Sequence, residues 1–145
     1  MSITSRYLTD YLTVQDDIIR VINESKALRE PITSTDSDEF CHCDAISPSY
    51  RVEIKDRSGG PHNPDTLLEK YKWDKNNLDG TDFIYAVKSD GKLWLFNPTQ
   101  MVRDGYEFEW ETRWCPETTA FKKNNYVPKK VAMVDWSEAF WFKEI

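Results

Sequence analysis

Asp44-Ala45-Ile46-Ser47-Pro48-Ser49-Tyr50-Arg51-Val52-Glu53-Ile54-Lys55-Asp56-Arg57 reads as a strand ending near an aspartate, a turn at Pro48, and a second strand with Glu-x-Lys at its centre. Side chains alternate along a strand, so Glu53 and Lys55 share one side while Val52 and Ile54 share the other. A strand tends to bury such positions, and buried charge is costly unless something compensates it. Two carboxylates grouped with an ammonium suit a divalent metal that activates water. The grouping requires Asp44 on the same face as Glu53 and Lys55. A four-residue turn from Ile46 to Ser49 pairs Ala45 with Tyr50 and Asp44 with Arg51, which meets the requirement. A three-residue turn pairs Asp44 with Val52 and sends it to the other face, unless a bulge intervenes.

Outward from this stretch, the N-terminal side predicts a helix over about Ser5 to Arg29. Leu8, Tyr11, Leu12, Gln15, Ile18, Ile19 and Ile22 recur at spacings of three and four. Thr13 followed by Asp16 resembles a capping box with Asp in place of Glu, so the alternative to one long helix is two. Pro31 and the run Thr33 to Asp38 predict a polar loop, and Phe40 to Ile46 the first strand. On the C-terminal side, Asn63 offers an N-cap with Pro64 at the first helical position, predicting a helix through Leu67, Leu68 and Tyr71 towards Trp73. Phe83 to Val87 and Lys92 to Phe96 predict a hairpin closed by Ser89-Asp90-Gly91, since Asp-Gly is a strong hairpin signal. Tyr106 to Trp114 predicts a strand stopped by Cys115-Pro116, and Val131 to Val134 a short one. The tail through Trp136, Phe140, Trp141 and Phe142 should dock on the body. The order predicts an α/β fold in one domain, 1–145, with a single mixed β-sheet flanked by helices.

Composition limits the function classes. With 145 residues the chain can bury a core, and six Trp, seven Tyr and seven Phe argue against disorder. No apolar run approaches the ~20 residues of a membrane span, and the N-terminus lacks the features of a signal peptide. Three cysteines, an odd number, speak against a disulfide framework; the expected setting is intracellular and cytoplasmic. A net charge of -6 excludes wholesale coating of nucleic acid but leaves room for local basic tracks. Those tracks are Lys70, Lys72 and Lys75, and Lys122-Lys123 with Lys129-Lys130.

Residues 15–97 resemble the PD-(D/E)xK nuclease superfamily, which has the restriction-endonuclease-like core. Its pattern is an acid in a first helix, an aspartate in a strand and (D/E)-x-K in the next. Asp44 matches the aspartate, and Glu53 and Lys55 match the second acid and the lysine. The resemblance implies hydrolysis of DNA phosphodiesters with Mg²⁺ or Mn²⁺ held by Asp44, Glu53 and the Ile54 carbonyl. Lys55 would position water or offset developing charge. The chain departs from the pattern twice. Cys43 stands where the family name has Pro. Gln15 occupies the helix position where the family's glutamate would point, with Asp16 and Asp17 aimed about 100° and 200° away on an ideal helix. The expected partner is double-stranded DNA, with a homodimer as the route to two cuts. The other readings are an inactive nucleic-acid- or protein-binding module on the same fold, and an RNA-directed nuclease in which His42 becomes a metal ligand.

Further candidates fall outside that pattern. Alternation in Cys41-His42-Cys43 puts the thiols on one face and the imidazole on the other, which favours cysteines as small core residues over a zinc site. His42 shares a face with Asp44. Asn63 and Thr66 would meet phosphate at a helix N-terminus. Lys70 and Lys72 on that helix would follow the DNA backbone. Lys122 and Lys123 would sit in an exposed DNA-contacting loop. The tryptophans serve the core or stack on bases.

Overall fold

The computed structural model describes residues 3–35, 42–57, 65–116 and 125–145, with backbone alone for 3–13, 65 and 116. The element order is α1 (Ile3–Glu24), β1 (Thr33–Ser34), β2 (Ala45–Ile46), β3 (Tyr50–Arg57), β4 (Asp65–Glu69), α2 (Lys70–Asn76), β5 (Asp82–Ser89), β6 (Lys92–Phe96), α3 (Pro98–Arg103), β7 (Glu111–Pro116), β8 (Tyr126–Asp135) and β9 (Trp141–Glu144). The fold is mixed α/β. Among the described residues β1-β2-β3-β5-β6-β9 form a mixed sheet in that order, in which β3 and β5 run parallel and the other neighbours antiparallel. Where one sheet was expected there are two: β4-β8-β7 form a second, antiparallel sheet.

The two faces of β3 meet different layers. Val52 and Ile54 pack with Ile84 and Ala86 of β5 against Ile18, Ile19 and Ile22 of α1. On the other face Phe83, Tyr85 and Val87 of β5 pack with Leu68 of β4, Val134 of β8 and Trp73 of α2. Glu53 and Lys55 are register partners of Tyr85 and Val87, so they point into this second layer. A parallel strand covered on both faces normally reads as a continuous apolar run; Glu53 interrupts that run.

Several elements depart from expectation, but α1 is the single helix of the two alternatives, with no break at Thr13. Its apolar stripe gains more from the sheet than a local cap would from a break. Asp65 to Glu69 is a strand rather than the start of a helix. Thr66 and Leu68 are buried with alternating period two and pair Val134 and Ala132 of β8. The apolar spacing of Leu67, Leu68 and Tyr71 fits either element, and a partner strand distant in sequence decides it. Thr33–Ser34, expected as loop, pairs Ala45–Ile46. Tyr106 to Trp110 is not strand. Its aromatics pack on one another along the chain as tilted pairs, Tyr106 with Phe108 at 5.2 Å and Phe108 with Trp110 at 5.4 Å, and β7 begins at Glu111 and runs through Cys115 and Pro116. Asn97-Pro98 opens the unexpected α3, the Asn97 side chain accepting from the Gln100 amide. The β5–β6 hairpin forms as expected on the two-residue turn Asp90-Gly91, with φ of 53° and 70°. No helix of the described residues is long and apolar enough to cross a membrane.

Candidate functional site

The site is built where β2 ends against the middle of β3. The β2–β3 turn holds two residues, Pro48 and Ser49, with the Ser47 amide donating to the Tyr50 carbonyl at 2.9 Å. Ile46 therefore faces Arg51 and Ala45 faces Val52, a slip of two residues from the expected register. A slip of two preserves the face. The Asp44 amide also donates to the Val52 carbonyl, at 2.8 Å. Two residues opposing one make a bulge, which re-aims the side chain at the strand end. The Asp44 carboxylate is thereby turned onto β3, where Oδ2 accepts from the Ile54 amide at 2.8 Å. A strand residue's N–H and C=O point the same way. The Ile54 carbonyl thus lies on the edge of β3 that Asp44 occupies.

Glu53 is 2 % exposed. Its Oε1 sits 3.4 Å from Lys55 Nζ and 3.5 Å from Lys72 Nζ, while Oε2 is buried with no hydrogen-bond partner. Burial first, and the neighbouring Asp44 second, push the Glu53 carboxyl up to about 7; Lys55 and Lys72 pull the other way and lose. Two ammonium groups within 3.5 Å do not recover the cost of taking this charge out of water.

α2 supplies more than expected. Lys72 was read as a DNA-backbone contact, but it turns inward onto Glu53 and also reaches the His42 carbonyl at 3.5 Å. Asn76 is fully buried; it donates to the His42 and Lys72 carbonyls and accepts from Arg51 Nε. It thereby ties α2 to β3 and to the turn before Asp44. Lys70 pairs with Asp74 at 2.7 Å and lies over the Trp110 ring.

One acidic neighbour, Glu69, was not among the sequence candidates, and its pairing with Lys129 was not foreseen. Glu69 at the end of β4 pairs with Lys129 of β8 at 3.0 Å. Burial, the largest influence on Glu69, pushes its carboxyl up, but Lys55, Lys129 and Lys72 together hold it below the usual range. Glu69 thus feels the same two lysines that flank Glu53. The partners Glu69 and Lys129 lie 60 residues apart in sequence, so only the β4–β8 pairing reveals them.

The remaining predicted residues divide. Gln15 is buried at 4 % exposure, on the α1 stripe. That stripe covers the Val52–Ile54 face of β3, across the sheet from Glu53 and Lys55. Thr66 lies within β4, not at a helix N-terminus, and its hydroxyl is buried without a partner; the reason for a phosphate contact is removed. Asn63, Lys122 and Lys123 lie outside the described residues, as do Cys41 and His62. Cys43 is buried among the hydrophobic residues, as expected of a small core residue. His42 is exposed, its ring edge-on to Tyr71 at 6.2 Å.

The donor set was tested against a divalent cation. Among the described residues no group of three or more His, Cys, Asp and Glu side chains is placed to hold a metal. Asp44 and Glu53 would need the Ile54 carbonyl and water to complete a shell of hard oxygens. The orphaned Glu53 Oε2 and the repulsion between the two acids are what a cation would relieve. The residues fit such an ion on those grounds. Comparison with known proteins found no match to a family model, a curated protein or a solved structure.

Proposed function

We propose that the protein is a divalent-metal-dependent endonuclease of DNA, built on the restriction-endonuclease-like pattern that its sequence resembles. One observation carries the reading. Asp44 and Glu53 are close enough to repel, Lys55 lies against Glu53, and one Glu53 oxygen is buried without a partner. The order α1-β1-β2-β3-β4-α2-β5, with β5 parallel to β3, supports it as the frame around these three residues.

Asp44, Glu53 and the Ile54 carbonyl would hold Mg²⁺ or Mn²⁺, which when bound supplies a water of lowered pKa and Lewis-acid relief of phosphate charge. Asp44 is oriented for this by the Ile54 amide, which fixes one carboxylate oxygen and leaves the other to bind. Glu53 is held rigid by the layer above it. The Lys55 ammonium, beside the acids, donates to a phosphoryl oxygen as negative charge develops there. Lys72 offers a second ammonium to the same region. Gln15, buried on the far face of β3, is left out of the proposed set. Double-stranded DNA is the proposed substrate, with a homodimer as the route to two cuts.

Incubation with plasmid, single-stranded DNA and RNA in Mg²⁺, Mn²⁺ or EDTA tests the proposal. Metal-dependent cutting of DNA is expected, and Lys55→Ala should abolish it while the thermal unfolding transition stays cooperative. Cutting that survives in Lys55→Ala overturns the assignment. A second reading draws on Lys72, which gives Glu53 a second ammonium without any metal: a folded, non-cleaving module on the same scaffold. No cutting of any substrate in either metal would favour it, and cutting of RNA alone would favour the RNA-directed reading.

A further inference from the structure

We propose that the outward face of the β7–β8 ribbon is a stacking platform for unpaired nucleobases, so that the protein holds single-stranded nucleic acid there. β4 pairs with residues Val131 to Asp135 of β8, so the first half of β8 leaves the three-stranded sheet and continues with β7 as a two-stranded ribbon. Trp114 faces Pro128 and Thr112 faces Lys130, while Tyr126 lies two residues before Pro128. Alternation places Thr112, Trp114, Tyr126, Pro128 and Lys130 on one face. The opposite face carries Lys129, which turns to the body to meet Glu69. On the outward face Trp114 is 70 % exposed and Tyr126 65 %.

Tryptophan and tyrosine contribute large areas to cores and interfaces. Trp73, Trp94, Trp110 and Trp136 of this chain pack against the body, whereas Trp114 and Tyr126 present their surface to water. Their strand positions are diagonal neighbours, about 7–8 Å apart. Bases stack at about 3.4 Å, so the gap admits one base with a ring on each side. Stacking of this kind needs a base released from its pair, which selects single strands over intact duplex.

Charge names the occupant. The chain as a whole is acidic, at -6, yet the described ribbon residues hold one acid, Glu111, against Arg113, Lys129 and Lys130. Glu111 and Arg113 pair at 2.9 Å and Lys129 is engaged by Glu69 at 3.0 Å. Exposed Lys130 thus stands on the same face as the two rings, placed for a phosphate. Lys129 and Glu69 link the ribbon to the neighbourhood of Glu53. A role in choosing substrates with unpaired bases rests on the nuclease reading, whereas base binding itself does not.

The test is a titration of the full chain with fluorescent oligothymidylate in EDTA, where metal-dependent cutting is silent. Wild type should bind with quenching of tryptophan fluorescence, and that quenching should be lost when the oligothymidylate is annealed to its complement. Trp114→Ala and Tyr126→Ala should each weaken Kd by about tenfold, with thermal unfolding unchanged because both side chains are exposed. Lys130→Ala should flatten the salt dependence. Absent binding by wild type, or aromatic variants that bind as wild type does, would overturn the proposal. So would a dimer in sedimentation that Trp114→Ala dissociates, which would make the face a self-association surface. Cutting in Mg²⁺ is scored separately: cutting without aromatic-dependent binding sinks the ribbon alone, and binding without cutting sinks the nuclease alone.

Discussion

Glu53 is sealed between two layers, and its carboxyl is pushed up from 4.5 to about 7, by burial first and Asp44 second. The sign of the pH dependence follows. Below about 4.5 both folded and unfolded chains carry the proton, and stability is unaffected by this group. Between about 4.5 and about 7 the unfolded chain releases a proton that the native chain keeps, so native stability falls as pH rises. Above about 7 the full cost is in place, about 3 kcal/mol at 1.36 kcal/mol per pKa unit. Glu53→Gln keeps the shape and removes the charge. In the absence of metal it should raise the urea midpoint at about pH 8 by an amount worth up to ~3 kcal/mol, and by little at about pH 5. Equal shifts at the two pH values would show that the carboxylate is not under this strain. A carboxylate that costs the fold stability where it is charged is the observation on which the proposed role of Glu53 rests.

At the level of elements, what was legible in the sequence depended on whether the deciding partner was near in the chain. Asp90-Gly91 was legible because a two-residue hairpin turn demands positive φ at both positions, and both have it. Replacing Gly91 with alanine meets no obstruction, the nearest atom to the new Cβ being the Ile145 carbonyl oxygen at 4.0 Å. The cost is therefore conformational, about 1–2 kcal/mol for an L-residue held at left-handed φ. It should appear as a lower urea midpoint with an unchanged slope; no loss of stability would mean that the turn relaxes. The shared face of Glu53 and Lys55 was equally legible, since the period of two is local. The Asp44 register was legible only to parity: turn length moved it by two residues, and a bulge finished the aim. β4 was misread as helix because Leu67, Leu68 and Tyr71 satisfy both periods. The arbiter, β8, begins about sixty residues later. The contact of Lys72 with Glu53 was hidden for the same reason: α2 starts at Lys70, not Pro64, and its inward face is set by the docking of Trp73 and Asn76.

At the scale of the whole molecule, the described residues form two sheets that pack on each other, and the candidate site lies between them. Their polar tie is a small network. Arg57 of β3 donates to the Tyr85 hydroxyl at 3.1 Å and to the Leu67 carbonyl at 3.4 Å, and the Tyr85 hydroxyl itself donates to Leu67. Arg57 Nε is buried without a hydrogen-bond partner, so the guanidinium depends on what remains. Tyr85 is also the register partner of Glu53, which places the tie beside the acid that the second sheet covers. Removing the hydroxyl with Tyr85→Phe leaves the ring packed against Phe96 and deprives both Arg57 and the Leu67 carbonyl of a partner. The expected loss is about 1–3 kcal/mol, the range for stripping a partner from buried polar groups. Its distribution tests the architecture. If β4-β8-β7 is a layer docked on the larger sheet, amide exchange in β4 and the second half of β8 should quicken more than exchange in β3 and β5, since the docking contacts give way before the mixed sheet does. A uniform loss of protection across both sheets would show instead that they open as one cooperative unit, with Glu53 uncovered only when the whole protein unfolds.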